Sequence, residues 1–230
     1  MKVSVIGGAG YVGLITALGS SSMGHDVIAT DIDEEKVKNL NNNISPIYEE
    51  SLDSLLKHCN SKNKISFTTD TVNAIKNSDI VINLVGILYE TRKQKFYNIH
   101  TNIPEAVAKI CSESEVKKFI HVSAIGANEN SKSLYQKSKF QGELKALNNF
   151  KKTVIIRPSV VCGTEDNFTN LFSKLSILPV IPVVGIDYKF QPILVDDVAD
   201  AIVKAIELKG NEGKIYEIGG PKVISFGDMV

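Results

Sequence analysis

A glycine-rich loop near the amino terminus limits the fold of this chain more than any other feature. An apolar run, Val3 to Ile6, leads directly into Gly7, Gly10 and Gly13, and a helical pattern follows. Glycines let the backbone turn tightly and approach a ligand, and the start of the helix offers N–H groups that have no partner within the helix. A strand, a Gly-x-x-Gly-x-x-Gly loop and a helix in this order predict a dinucleotide site whose pyrophosphate lies on the loop.

Other residues of this segment are expected to contact the same ligand. Tyr11 and Val12 begin the helix, and Asp31 and Ile32 follow the second apolar run. The Asp31 carboxylate can accept hydrogen bonds from the adenosine ribose, and its charge repels the extra phosphate of NADP, so we expect NAD as the cofactor and NADP as the lesser alternative. The competing interpretation is that Asp31 merely ends the strand while Asp33 caps the next helix.

Apolar runs of strand length alternate with helical patterns along most of the chain. Such alternation predicts an α/β fold of the Rossmann type, a doubly wound parallel sheet with helices on both faces. Ligands of these sheets bind outside the carboxyl ends of the strands. The runs are Val3 to Ile6, Val27 to Thr30, Ile65 to Thr68, Ile80 to Val85, Phe119 to Val122 and Val154 to Ile156.

The regular alternation loosens after Pro158, which suggests a division of the chain. We expect a dinucleotide-binding Rossmann domain over residues 1–165 and a partial substrate-side subdomain, interwoven with it, over residues 166–230. A final helix stops after about one turn, too short to be stable without packing, so the subdomain is expected to be truncated. Its predicted elements are a strand from Gln191 to Val195, a helix from Asp196 to Leu208 and a strand from Lys214 to Ile218.

Composition limits the partners. The 26 Lys and Arg balance the 26 Asp and Glu, so nothing in the overall charge predicts nucleic acid or an anionic membrane. Cys59, Cys111 and Cys162 are odd in number and far apart, and are expected to be reduced packing thiols; the four histidines also lack metal spacing, so no metal site is expected. We expect no signal peptide, because glycines interrupt the apolar start, and no transmembrane segment, because the longest apolar stretch, Leu175 to Ile186, is far shorter than a span of about 20 residues.

Ser123, Tyr135 and Lys139 combine residue types suited to carbonyl chemistry. Tyr135 and Lys139 are four residues apart on a predicted helix and share a face, and Ser123 follows the fifth strand where a ligand would lie. We expect the lysine to lower the pKa of the phenol, Tyr135 to exchange a proton with the substrate, and Ser123 to orient the reacting oxygen. Lys139 would also hold the nicotinamide ribose. The alternative for the Tyr–Lys pair is an ordinary exposed helix face.

These residues resemble the short-chain dehydrogenase/reductase superfamily, whose pattern they match. Beyond Asp79 the chain is similar to the dehydrogenase-like accessory subunit of respiratory complex I and its bacterial relatives, atypical members that bind a nucleotide without a well-defined turnover. The resemblance implies nucleotide contacts at Leu84, Val85, Gly86 and Pro158. It is carried by the stretches Val81 to Glu90, His121 to Gly126, Ile156 to Val161 and Phe190 to Asp197.

The residues before Asp79 resemble a second family, the UDP-glucose and GDP-mannose dehydrogenases. Counted from Gly7, the loop is one residue longer than their Gly-x-Gly-x-x-Gly spacing, which favours the short-chain pattern. Cys162 lacks the residues that flank their catalytic cysteine, so the oxidation of a sugar nucleotide that this resemblance implies is not expected. The resemblance is carried by Gly10 to Leu14, Gly24 to Val27, Asp31 to Val37 and Ile44 to Glu49.

Three functions follow from these patterns. The first is an NAD-binding, atypical short-chain dehydrogenase-like protein associated with complex I as an accessory or assembly protein, cytoplasmic or peripheral to the inner membrane. The second is a nucleotide-sugar epimerase, dehydratase or reductase. The third is a purely structural subunit that docks a membrane-complex partner through Leu175 to Ile186. The sequence does not specify the oligomeric state. His100 falls where active extended short-chain enzymes often carry an asparagine, so we expect an impaired proton relay.

Overall fold

The computed structural model describes residues 1–49, 51–164, 166, 170 and 185–229, and a seven-stranded parallel sheet organises them. The strand order is β10-β6-β5-β4-β1-β2-β3, and every pairing in it is parallel. This is the predicted doubly wound sheet with one strand added at the β6 edge. The strands are β1 (Lys2–Ile6), β2 (Asp26–Thr30), β3 (Ile65–Thr68), β4 (Ile80–Asn83), β5 (Lys118–Val122), β6 (Thr153–Pro158), β7 (Val161–Cys162), β8 (Lys189–Phe190), β9 (Ile193–Leu194), β10 (Ile215–Ile218) and β11 (Ile224–Ser225).

Helices connect the strands, and polar side chains cap three of them. The Asp33 carboxylate accepts hydrogen bonds from the N–H groups of Glu35 and Lys36, and Asp70 and Ser133 cap their helices in the same way. Within the described residues, none of the helices combines the length and the hydropathy that crossing a bilayer requires. The helices are α1 (Tyr11–Ser22), α2 (Glu34–Asn41), α3 (Leu52–Ser61), α4 (Thr71–Lys76), a π-helical segment (Tyr97–Asn102), α5 (Ile103–Ser112), α6 (Leu134–Asn149), α7 (Val195–Glu207) and α8 (Phe226–Met229).

Apolar side chains fill both faces of the sheet, as continuous apolar strands predict. Neighbouring residues of β5 show the alternation: Ile120 packs with Leu14 and Ile202, whereas Phe119 packs on the other face with Val107 and Ala146. One cluster therefore lies under α1 and α7, and the other lies under α5 and α6. The doubly wound arrangement places all six carboxyl ends of β1 to β6 on one edge.

The strand order reverses beside β1, which pairs with β2 on one side and with β4 on the other. At such a switch point the connections leave in opposite directions and open a crevice for a ligand. The N–H of Leu84 donates to the carbonyl of Ile6 at 3.0 Å, so the segment after β4 begins directly beside the glycine loop. The fold thus fixes where a candidate site has to lie.

The chain after Pro158 differs in detail from the sequence prediction. The strand expected from Gln191 to Val195 is only the two-residue β9, because α7 already begins at Val195. The strand expected from Lys214 to Ile218 is β10, which pairs with β6 and completes the main sheet. Of the stretch Leu175 to Ile186, residues 175–184 lie outside the described residues. The domain boundary near residue 165 stays a prediction.

Candidate functional site

The glycine loop turns tightly against the end of β2. The N–H groups of Gly7 and Gly8 both donate to the carbonyl of Thr30 at 2.9 Å, and Gly7 has a φ of +79°, which favours glycine. A Cβ on Gly13 would lie 2.0 Å from the carbonyl oxygen of Gly7. Helix α1 can therefore begin this close to the loop only because Gly13 has no side chain.

The start of α1 presents backbone N–H groups to the crevice. Gly10 occupies the N-cap position and has no side chain with which to cap Tyr11, Val12 or Gly13. Uncapped N–H groups at a helix N-terminus, together with the helix dipole, form a site for a phosphate group. The Tyr11 phenol points elsewhere, since it donates to the Glu49 carboxylate, so Tyr11 offers its backbone rather than its hydroxyl to the crevice.

Asp31 and Ile32 lie at the carboxyl end of β2. The Asp31 N–H donates to the carbonyl of Thr68, and Asp31 Oδ1 accepts from the N–H of Asp33 at 3.2 Å. This leaves carboxylate lone pairs for the two hydroxyls of a ribose. Ile32 is 87% exposed beside them and offers an apolar surface for an adenine. Asp33 caps α2, and the ribose contact of Asp31 stays a prediction.

Ser123, Tyr135 and Lys139 come together at the carboxyl end of β5. Ser123 is buried, and its Oγ has no hydrogen-bond partner among the residues that the structure describes. Lys139 is also buried, with Nζ 5.9 Å from the centroid of the Tyr135 ring. A buried hydroxyl without a partner is costly, which points to a ligand or a water as the missing partner. Because Lys139 is buried, the alternative that it lies on an ordinary exposed helix face is excluded.

The structure overturns one expectation about this group. Burial raises the pKa of the Tyr135 phenol, whereas the sequence predicted that Lys139 would lower it. The cause is burial, because the phenol is packed against Phe96 and His100 and desolvation disfavours the charged phenolate. Desolvation also lowers the pKa of Lys139 to about 8, against the opposing charge of Glu143. Tyr135 is therefore a proton donor at neutral pH.

His100 is held by both ring nitrogens. Nε2 accepts from the N–H of Ile87 at 3.1 Å, and Nδ1 lies 2.9 Å from the hydroxyl of Ser138, which itself donates to the carbonyl of Tyr135. These partners require a neutral imidazole with its proton on Nδ1, and burial lowers the pKa of His100 to about 3. A Cβ on Gly142 would lie 1.9 Å from the His100 carbonyl oxygen, so α6 packs directly on the π-helical segment.

A second buried histidine, which the sequence analysis placed only in the core, faces Asn83 across the β4–β5 pair. The Asn83 Oδ1 accepts from the N–H of Val85, so its amide nitrogen donates to Nδ1 of His121 at 3.2 Å. The His121 proton then resides on Nε2, an atom with no hydrogen-bond partner within the described part of the chain. Burial lowers the pKa of His121 to about 3, and nearby Lys139 adds to the effect. The sequence signal for this contact was a polar residue in each of two apolar runs, Asn83 in one and His121 in the other.

A buried ion pair supports the same helix. Arg157 Nε and Nη2 donate to the two carboxylate oxygens of Glu143 at 2.9 and 2.7 Å, and Nη1 donates to Glu217. Glu143 stands one helical turn after Lys139, so it also favours the charged lysine. The sequence analysis missed this pair. The i, i+4 spacing indicates only the contact between Lys139 and Glu143.

The remaining residues predicted to contact the nucleotide line the crevice between the glycine loop and Lys139. Leu84, Val85 and Gly86 follow β4, and a Cβ on Gly7 would lie 3.1 Å from Val85 Cγ2. A Cβ on Gly86 would lie 3.2 Å from Lys139 Nζ, which connects this segment to the buried lysine. Pro158 ends β6 and accepts from the N–H of Ile125. The structure thus brings all predicted site residues to one edge of the sheet; which of them contact a ligand stays a prediction.

Comparison with protein families matches residues 1–142 to the UDP-glucose/GDP-mannose dehydrogenase family, NAD binding domain. Counted from Gly8 instead of Gly7, the loop Gly8-x-Gly10-x-x-Gly13 has the Gly-x-Gly-x-x-Gly spacing. The spacing therefore does not set this chain apart from the sugar dehydrogenases, contrary to the expectation drawn from Gly7.

Two curated relatives are similar to the chain over stretches of different length. NADH dehydrogenase (ubiquinone) 1 alpha subcomplex subunit 9, mitochondrial, of Mus musculus is 38% identical over 150 residues, which cover 64% of this chain and 40% of that protein. UDP-glucose 6-dehydrogenase TuaD of Bacillus subtilis is 40% identical over 85 residues, which cover 37% of this chain and 18% of that protein. The chain thus spans well under half the length of both relatives.

Among solved structures, UDP-glucuronic acid 4-epimerase from Bacillus cereus in complex with NAD superimposes with a TM-score of 0.75. The match covers 98% of this chain and 80% of the epimerase at 20% sequence identity. At that identity the likeness establishes the fold, a Rossmann sheet of the kind found in short-chain enzymes.

Proposed function

The chain belongs to the UDP-glucose/GDP-mannose dehydrogenase family, NAD binding domain, and on that premise we propose that the protein binds NAD at the crevice beside β1. The backbone N–H groups of Tyr11, Val12 and Gly13 hold the pyrophosphate, whereas Gly7 and Gly10, whose own N–H groups are already bonded to backbone carbonyls, shape the turn. The observation that carries the proposal is the close packing of α1 on the loop at Gly13, which brings the uncapped start of the helix to the crevice. Asp31 binds the adenosine ribose, and its charge makes NADP the poorer ligand.

On the other side of the crevice, Lys139 holds the nicotinamide ribose and Ser123 donates to or accepts from the group that lies above the ring. Bound NAD would supply a hydride acceptor. Tyr135, with a raised pKa, keeps its proton at neutral pH, and both nitrogens of His100 are already engaged. A phenol without a base and without a relay supports binding with little or no turnover.

This chemistry favours an accessory role. We propose a short-chain dehydrogenase-like protein that serves a complex I-type NADH dehydrogenase as an accessory or assembly protein, cytoplasmic or peripheral to the inner membrane. The support is the 38% identity to the mouse subunit over 150 residues. In this role NAD rigidifies the region around β1 and β4. Docking of a partner through Leu175 to Ile186 stays a prediction, since residues 175–184 lie outside the described residues.

Titration of NADH, followed by its fluorescence, tests the binding proposal. The Gly13→Ala variant places a Cβ against the Gly7 carbonyl and is expected to weaken binding at least a hundredfold. Gly19→Ala is the matched control, because Gly19 lies in the same helix and a Cβ there meets nothing within 4 Å. If the wild-type chain does not bind NADH at millimolar concentration, or if both variants bind equally, the proposal is wrong. Asp31→Ala, which keeps the loop intact, covers the case in which Gly13→Ala does not fold.

A second function, a nucleotide-sugar epimerase, dehydratase or reductase, is favoured by one observation. The Oγ of Ser123 has no hydrogen-bond partner among the described residues, and a sugar hydroxyl or carbonyl in the crevice could supply one. Incubation with a panel of UDP- and GDP-sugars, with product detection by mass spectrometry, tests this function. Turnover that disappears in Tyr135→Phe would establish it, and absence of turnover across the panel would leave the accessory role.

A further inference from the structure

The loop between β4 and the π-helical segment exposes apolar side chains next to the candidate site. Leu88, Tyr89 and Tyr97 are 58%, 74% and 61% exposed. One such residue would be ordinary, whereas three within ten positions form a patch that water hydrates poorly. Residues 88–97 are therefore the first part of a surface that a partner could cover.

The first turn of α6 extends this surface. Phe96 stacks on His100 at 5.2 Å and meets the edge of the Tyr135 ring at 5.7 Å, which fixes the loop against the start of α6. Leu134 precedes Tyr135 and is 69% exposed. The apolar patch thus continues from the loop to the helix and flanks the mouth of the crevice.

Basic side chains surround the apolar ones. Arg92, Lys93 and Lys132 are exposed, and none of them forms an ion pair with any residue that the structure describes. Lys95 is paired with Glu90 at 3.5 Å, and Glu90 also accepts from the N–H of Phe96. Within the described part of the chain, residues 88–97 and 129–134 hold three cations without an ion pair and one such carboxylate, that of Glu129. A chain with no net charge thus carries a local positive surface.

We infer that this surface docks on the headgroups of an anionic lipid bilayer. Tyrosine rings and leucine side chains enter the boundary between headgroups and acyl chains, where an aromatic ring with a polar end is well accommodated. Unpaired Arg and Lys side chains bind the anionic headgroups and the local negative potential. The surface consists of Leu88, Tyr89, Arg92, Lys93, Tyr97, Lys132 and Leu134. Docking turns the Tyr135 side of the crevice towards the bilayer and does not depend on nucleotide binding.

Sedimentation with sucrose-loaded vesicles tests the inference on the full chain. Vesicles of phosphatidylcholine with phosphatidylglycerol are expected to carry the protein down, and vesicles of phosphatidylcholine alone are not. Added salt weakens the binding, because it screens exposed charges beyond about 10 Å at 0.1 M. Binding to neither kind of vesicle, or equal binding to both, would overturn the inference.

Two paired variants locate the surface. Arg92→Glu with Lys93→Glu is expected to lower the partition coefficient at least roughly tenfold, since each basic residue near an anionic surface contributes several-fold. Leu88→Ser with Tyr89→Ser removes the inserted side chains and is expected to lower it by a similar factor. The matched control is Lys222→Glu with Val223→Ser, a basic and an apolar residue that are also exposed.

All three pairs are exposed, so unchanged thermal unfolding and unchanged NADH titration show that the chain is intact and separate this test from the test of NAD binding. Vesicle binding that survives either pair of substitutions in residues 88–93, or that is lost equally in the control, contradicts the assigned surface.

Discussion

The chain before Asp79 and the chain after it bury different kinds of side chain. In the described residues of the first region, His25 is the one buried His, Lys, Arg, Asp or Glu, and the other buried polar groups are hydroxyls. The second region buries His100, Lys118, His121, Lys139 and Glu143, together with Asp166. A region that recognises a ligand through backbone N–H groups needs no buried charge. A region that buries ionisable side chains has to stabilise them by pairing or by shifting their pKa values.

The lengths of the matches to the two relatives are similar to the lengths of the two regions. The match to the sugar dehydrogenase has a length of 85 residues, and the match to the NADH dehydrogenase subunit has a length of 150. A junction near Asp79 would leave parts of similar size, and its position stays a prediction. Both regions nevertheless form one sheet, because β1 pairs directly with β4.

The largest expected effect concerns the buried ion pair of the second region. Glu143→Ala leaves the Arg157 guanidinium without its bidentate partner and is expected to lower the free energy of unfolding by about 3 to 5 kcal/mol. Glu217→Ala is the control, because Glu217 is the half-exposed partner of the same guanidinium, and removing an exposed partner costs about 1 kcal/mol or less. Urea unfolding measures both. Equal losses would show that burial does not distinguish the two contacts.

The next effect comes from Lys139, whose pKa falls from 10.5 to about 8 in the folded chain. Below the lower value the folded state carries a buried ammonium, and the shift corresponds to a cost of about 3 kcal/mol. As the pH rises from 8 towards 10.5 the folded chain has already released this proton and the unfolded chain has not, so stability rises with pH.

Lys139→Met is therefore expected to be more stable than the wild type at about pH 7, with an advantage that disappears above the unfolded pKa. Urea unfolding at the two ends of this range, without nucleotide, measures the difference. An advantage that does not change with pH would mean that packing, not charge, is responsible.

The histidines give the smallest effect. The pKa of His100 falls from 6.5 to about 3, so between these values the unfolded chain binds a proton that the folded chain does not, and stability falls as the pH falls. At about pH 4.5 this amounts to about 2.5 kcal/mol. His100→Asn is expected to remove most of that loss relative to its own stability at neutral pH.

Two controls sharpen the contrast between the regions. His58→Asn, at an exposed position, is expected to leave the pH dependence unchanged. His25→Asn removes the one buried histidine among the described residues of the first region, where burial lowers the pKa but the charges of Glu207 and Asp26 oppose the shift. Its effect is expected to be smaller than that of His100→Asn. A reversed order would contradict the contrast in the burial of ionisable groups between the two regions.

The sequence predicted the fold well because the signals were local. The runs that became β1 to β6 are apolar and bounded by turn residues, and Asp33, Asp70 and Ser133 are side chains whose capping role depends on residues two or three positions away. The glycine loop and Asp31 followed from the same kind of short-range pattern.

The site was predicted only in part because its electrostatics are tertiary. That Lys139 lies over the Tyr135 ring, and that Phe96 and His100 bury the phenol, depends on how the π-helical segment packs on α6. The spacing of Tyr135 and Lys139 gives a shared face but not the depth of burial, so the direction of the Tyr135 pKa shift came out wrong. The Glu143–Arg157 pair required the α6–β6 packing, which sequence separation alone does not reveal.

We propose that the region before Asp79 and the region after it bind opposite ends of one NAD molecule. Calorimetric titration of ADP and of NADH into the wild type, Asp31→Ala and Lys139→Met tests it most directly, because ADP lacks the nicotinamide ribose. We expect Asp31→Ala to weaken both ligands and Lys139→Met to weaken NADH while leaving ADP unchanged. Unchanged NADH affinity in Lys139→Met, or an equal loss of ADP and NADH affinity in that variant, would contradict the account.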